Sequence, residues 1–132
     1  MDQQQIASGR FFRRAWVAGV KKHFPGEPKP GYVSDWEEMA EWEQKSAIAV
    51  YGQVRALVLE GASVTTKLSR EQRGRLVALY WIVQVFKHIP NPKPGYVADW
   101  EQLPVWQRET DADIFDQIEM AVLQEQVQVR AS

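Results

Sequence analysis

The stretch PKPGYVSDWEEMAEWEQ, residues 28–44, returns sixty-four positions later as PKPGYVADWEQLPVWQR, residues 92–108. A short chain that writes one unusual sentence twice is an internal duplication, and that decides the fold reading. The match extends upstream, where GRFFRRAWVAGVKKHF from Gly9 aligns with GRLVALYWIVQVFKHI from Gly74. Downstream, Trp42 matches Trp106, Tyr51 matches Phe115 and Val54 matches Ile118. The repeat units are residues 9–60 and 74–125, joined by a linker at 61–69. All six tryptophans fall in matched pairs: Trp16 with Trp81, Trp36 with Trp100, and Trp42 with Trp106. Two copies are too few for a solenoid, so the expectation is two halves burying one face against each other.

Each half reads helix, irregular loop, helix. Asp2 with Gln5, and Ser69 with Gln72, have the spacing of a capping box and mark the starts of the first helices. Pro25 and Pro90 mark their ends. In the second unit Leu76, Leu79, Tyr80, Val83 and Phe86 recur at helical spacing, which predicts a central, well-covered helix. Its counterpart places Phe12, Trp16, Gly19, Val20 and His23 on one face. Most of Arg10, Arg13, Arg14, Lys21 and Lys22 lie off that face, so this helix is expected to be the more exposed of the two. Pro30-Gly31 and Pro94-Gly95 predict type II turns with positive φ at the glycines. Asp35 and Asp99 stand where an N-cap belongs, and Pro104 opens the last helix. The expected fold is all-α: two tandem helix–loop–helix repeats, two αα-hairpins without a sheet, packed as one pseudo-twofold four-helix domain over residues 1–132.

Composition narrows function by exclusion. The net charge is −1, so no overall field draws the chain to nucleic acid or a membrane. Cysteine is absent, which removes disulfides, thiolate metal sites and a cysteine nucleophile. No apolar run has the length of a membrane span. The start MDQQQIASGRFF lacks the basic-then-apolar order of a signal peptide, and a cytoplasmic protein is expected. No Ser-His-Asp order, Gly-rich phosphate loop or metal motif occurs; the reading is non-enzymatic, with no cofactor and no metal.

The candidate binding residues are those that both copies carry and a fold alone does not demand. Arg10 and Arg75 offer charge to a phosphate or carboxylate, or pair with Asp35 and Asp99. Tyr32 and Tyr96 offer stacking or a hydroxyl, and His23 and His88 offer hydrogen bonds beside helix C-termini. Such pairs suit a small anionic molecule, in a cleft between the halves or in a site shared across a homodimer. The basic first helix keeps a nucleic-acid binder as a further alternative, although the second copy has replaced most of those charges. Glu109, Asp113 and Asp116 read as a solvated outer face.

The pieces Trp36 to Gln44 and Trp100 to Arg108, each following a helix with His23 or His88 near its end, resemble ryanodine-receptor repeat domains. The recurring family piece is an aromatic, acidic residues, a Leu-Pro-like pair, then a Trp-Gln-Arg-like helix start. The resemblance implies a helical, internally duplicated, non-catalytic binding module. It also implies a setting in nucleotide signalling and phage–host conflict, with sequestration of a signalling nucleotide as the expected anti-defence role. The alternative is a protein–protein adaptor or dimerisation module.

Overall fold

The computed structural model describes residues 1–131, so the last residue of the expected domain lies outside it. Among the described residues there are four α-helices and no strand: α1 (Gln3–His23), α2 (Glu41–Thr65), α3 (Arg70–His88) and α4 (Val105–Ala131). Two short 3₁₀ turns separate α1 from α2, at Pro30–Tyr32 and Trp36–Glu38. Two more separate α3 from α4, at Pro94–Val97 and Trp100–Gln102.

Local chemistry sets the helix ends. Asp2 accepts from the Gln5 backbone N–H at 2.8 Å while the Gln5 side chain accepts from the Asp2 N–H at 3.0 Å. Ser69 and Gln72 make the same reciprocal pair at the start of α3. Each box satisfies two donors that the first helical turn leaves free. Helices α1 and α3 stop at His23 and His88, just before Pro25 and Pro90. The fourth helix begins at Val105 rather than Pro104, whose carbonyl accepts from Gln107 and Arg108.

Three local expectations are corrected. Gly31 and Gly95 do not adopt positive φ; only Gly26 does, among the described residues, at 94°. The proline φ opens a 3₁₀ turn in both loops, and such a turn keeps its next residue right-handed. Asp35 and Asp99 occupy N-cap positions, but only their backbone carbonyls accept, from Glu38 and Gln102; the side chains make no capping bond. The linker is partly helical, since α2 runs on to Thr65 across a break at Gly61.

The core draws on all four helices. Phe12 and Ala15 of α1 and Val77 of α3 meet Val50, Tyr51, Val54 and Val58 of α2 and Ile114, Phe115, Ile118 and Val122 of α4. Each such aliphatic or aromatic side chain contributes about 1.5–3 kcal/mol by burial. The Pro-Gly loops are pinned by their tryptophans. Trp36 lies against Gly9, where an added Cβ would stand 2.2 Å from the ring. Trp100 lies against Gly74, with the corresponding distance 2.5 Å. The remaining indoles cross over: Trp16 of α1 packs edge-on to Trp106 of α4, and Trp81 of α3 packs on Trp42 of α2.

Helix exposure departs from the expectation. The buried face of α3 is Gly74, Val77, Ala78, Gln84 and Val85, and Leu79, Val83 and Phe86 are 57%, 49% and 58% exposed. Its twin α1 is covered to about the same degree, and even Arg13 is buried. The apolar pattern of α3 is wide enough to serve two faces, and α2 and α4 cover only one of them.

Candidate functional site

Helices α1 and α4 approach closely because α1 presents small residues to α4. Gly19 sits so near Thr110 that a Cβ there would meet its methyl at 2.6 Å. Beside this contact runs a shallow groove of about 390 Å³, lined by Phe11, Arg14, Ala15, Ala18, Gly19, Lys22, Asp113 and Gln117. Arg14 lies over the Phe11 ring at 6.0 Å, a cation–π arrangement that leaves the guanidinium edge free to donate. Neither Arg14 nor Lys22 has a carboxylate partner among the described residues.

The one acid in the groove is already committed. Asp113 accepts from Arg70 at 2.7 Å and is bonded to His23 Nε2 at 2.8 Å. Partial burial opposes its ionisation, but the Arg70 and His23 hydrogen bonds outweigh that and hold the carboxyl below its usual range. Arg70 also binds Glu109 at 2.7 Å and Asp116 at 3.1 Å, and Arg73 binds Asp116 at 3.0 Å. Glu109, Asp113 and Asp116 therefore do not form a merely solvated face; they clamp α3 to α4. The periodicity showed that they share a side of the helix. It did not show that two arginines from α3 lie opposite.

The six predicted residues fall in separate places, and no hydrogen bond, ion pair or ring contact joins any two of them. Arg10 pairs with Glu37, and Arg75 pairs with Glu101 at 2.7 Å and Glu71 at 3.1 Å while lying over Trp100. The expected arginine–aspartate pairs with Asp35 and Asp99 are thus replaced by pairs two residues further on. In a 3₁₀ turn Glu37 and Glu101 follow the buried tryptophan and point back along the first helix of each unit. Tyr32 packs against Phe24 and Trp106, and its carbonyl accepts from the Trp16 indole at 2.9 Å. Tyr96 is 53% exposed and has no ring partner. His88 is half-buried and has no side-chain partner among the described residues. Only His23 reaches the α1–α4 groove, through Asp113. Arg14 and Lys22 stood in the basic cluster of the sequence, but nothing there separated them from Arg13. The Arg13 guanidinium turns inward to the carbonyls of Gly31 and Ser34, at 3.0 Å each.

A second groove, of about 400 Å³, lies between α3 and α4 and is lined by Arg70, Glu71, Trp100, Val105, Arg108, Glu109 and Ala112. Its acids balance its cations in number. Asp111, 6% exposed, has its carboxyl pKa pushed well above the usual range because burial strips its charge of water. Among the described residues no three His, Asp or Glu side chains are placed to hold a metal ion, and no helix is long and apolar enough to cross a membrane.

No protein-family model, curated protein or solved structure matches this chain.

Proposed function

We propose that this chain is a non-enzymatic binding module, a single domain of two related helix–loop–helix halves about a pseudo-twofold axis, similar to ryanodine-receptor repeat domains. Two glycine–tryptophan contacts, two arginine–glutamate pairs and the crossed indoles, each at matched positions, support the two-half reading. The module takes a small anionic, nucleotide-derived molecule in the α1–α4 groove. The observation that carries this is the charge of the groove: Arg14 and Lys22 face it without carboxylate partners, and its only acid is held by Arg70 and His23. Arg14 and Lys22 are eight residues apart, about 12 Å along the helix axis. That spacing suits a ligand whose anionic groups are separated, with the small residues Ala15, Ala18 and Gly19 between them leaving room for its body. Sequestration of a signalling nucleotide is the role that the resemblance suggests.

Calorimetry against nucleoside mono-, di- and triphosphates and cyclic dinucleotides tests the site. Binding of one class should weaken about tenfold or more in Arg14→Ala and in Lys22→Ala, as for charge-assisted hydrogen bonds generally. It should weaken further with added salt, while the melting temperature stays unchanged. Absence of binding to every class, or equal affinity in both variants, refutes the groove. The exposed apolar stripe of α3 favours a second reading, a module that contacts protein.

A further inference from the structure

His23, the last residue of α1, bonds through Nε2 to Oδ2 of Asp113 at 2.8 Å, and Asp113 lines the α1–α4 groove. The duplication shows that the helices do not need this bond. His88 matches His23 at the end of α3, but Ala49 stands at the position that matches Asp113. The histidine is repeated, while its acid occurs only beside the groove.

The charges around Asp113 make a proton on His23 matter. Four acids of α4, Glu109, Asp113, Asp116 and Glu119, face two arginines of α3, Arg70 and Arg73. This excess of negative charge opposes an anion bound beside Arg14 and Lys22. Imidazole is the side chain that ordinarily changes charge between about pH 5 and 8; arginine, lysine and carboxylate ordinarily do not. Asp113 itself stays ionised there, because the Arg70 and His23 hydrogen bonds hold its carboxyl below the usual range. Asp111, whose carboxyl is pushed up by burial, does not line the groove.

We propose that His23 is a proton switch for the groove: an anion binds more tightly when the imidazole is charged, and its binding draws a proton onto the ring. This rests on the reading of the groove as an anion site. The two effects are one coupling seen from its two ends. The switch works through charge and not through movement, since a neutral ring carrying its hydrogen on Nε2 and a charged ring both donate to Asp113. The side chains of His23 and Asp113 are 19% and 22% exposed. They are covered enough to limit screening of their charges and open enough to exchange protons with water.

Calorimetry with nucleoside mono-, di- and triphosphates and cyclic dinucleotides, at about pH 5.5 and about pH 8, tests the switch. Between these conditions wild-type affinity should gain about three- to tenfold more than that of His23→Gln, as for one charge about 10 Å away in a partly covered site. Glutamine keeps a donor for Asp113 without the charge, and the titration of the phosphates themselves cancels in the comparison. His88→Gln should respond to pH as the wild type does. Near pH 6.5 the wild type should take up more protons on binding than His23→Gln, read from the binding heat in buffers of different ionisation heat. Circular dichroism and melting of each variant at both pH values separate lost switching from lost folding. Parallel affinity curves in wild type and His23→Gln, or equal proton uptake, overturn the switch; the groove still stands if Arg14→Ala weakens binding. A chain that binds none of these probes at either pH overturns the anion site and the switch with it.

Discussion

Replacing Gly9 by alanine adds one methyl group, and it places that methyl against a buried indole. On an exposed helix the change would stabilise by about 1 kcal/mol, because glycine is the poorer helix former. Here the new Cβ would lie 2.2 Å and 2.5 Å from two carbons of the Trp36 ring and 3.0 Å from Ile48. Ordinary carbon contacts are about 3.5–4.0 Å, so the ring must retreat by more than about 1 Å. Trp36 cannot swing away freely. It is 7% exposed, and its carbonyl accepts from Gln44 at 2.7 Å. Overpacking of this kind costs about 1–3 kcal/mol and at times more. The rigid, buried partner puts Gly9→Ala at the upper end, for a net loss of about 2 kcal/mol after the helix gain. At Gly74 the nearest ring carbon would be 2.5 Å away and the next 3.2 Å, so Gly74→Ala should lose less. Urea unfolding followed by circular dichroism measures both. The decisive variant is Trp36→Phe, because the two closest carbons belong to the outer edge of the indole that phenylalanine lacks. In the cycle of Gly9→Ala with Trp36→Phe, the double variant should be more stable than the sum of the singles by about 1 kcal/mol or more. A Gly9→Ala protein as stable as wild type, or additive effects in the cycle, would refute the claim that these glycines are seats for the loop tryptophans.

Two further outcomes follow from the packing and the charges. Trp106 is only partly buried but touches Trp16, Phe24 and Tyr32; Trp106→Ala should cost about 2–4 kcal/mol, and a thermal scan within a degree of wild type would show that this aromatic cluster is not structural. Asp111 has a folded-state pKa raised by burial, so the stability it allows is fully present below its unfolded value and is lost as pH rises through the folded one. Asp111→Asn should therefore melt higher than wild type at neutral pH and show a flatter decline as pH rises above the ordinary carboxyl range; equal melting curves across that range would mean that the carboxylate is solvated.

The sequence by itself determined the helices and the ends of α1 and α3. Capping boxes at Asp2 and Ser69, prolines after His23 and His88, and short turns at Trp36 and Trp100 are local chemistry, legible because each is written within a few adjacent residues. The duplication likewise identified Arg10 and Arg75 as a matched pair with a matched role, and the alternative of pairing with a loop carboxylate came within two residues of Glu37 and Glu101. Only the tertiary structure decided which faces meet. Periodicity shows that α3 has an apolar side broad enough to bury, but not that its neighbours cover Val77 and Val85 and leave Leu79 and Phe86 in water. The same limit hid the groove. Arg13 and Arg14 are adjacent and chemically identical, yet about 100° of helix rotation turns one into the loop carbonyls and the other over Phe11 into the groove. Burial and ion pairing depend on what arrives from distant segments of the chain, such as Arg70 against Asp113, and such contacts leave no mark in the neighbouring sequence.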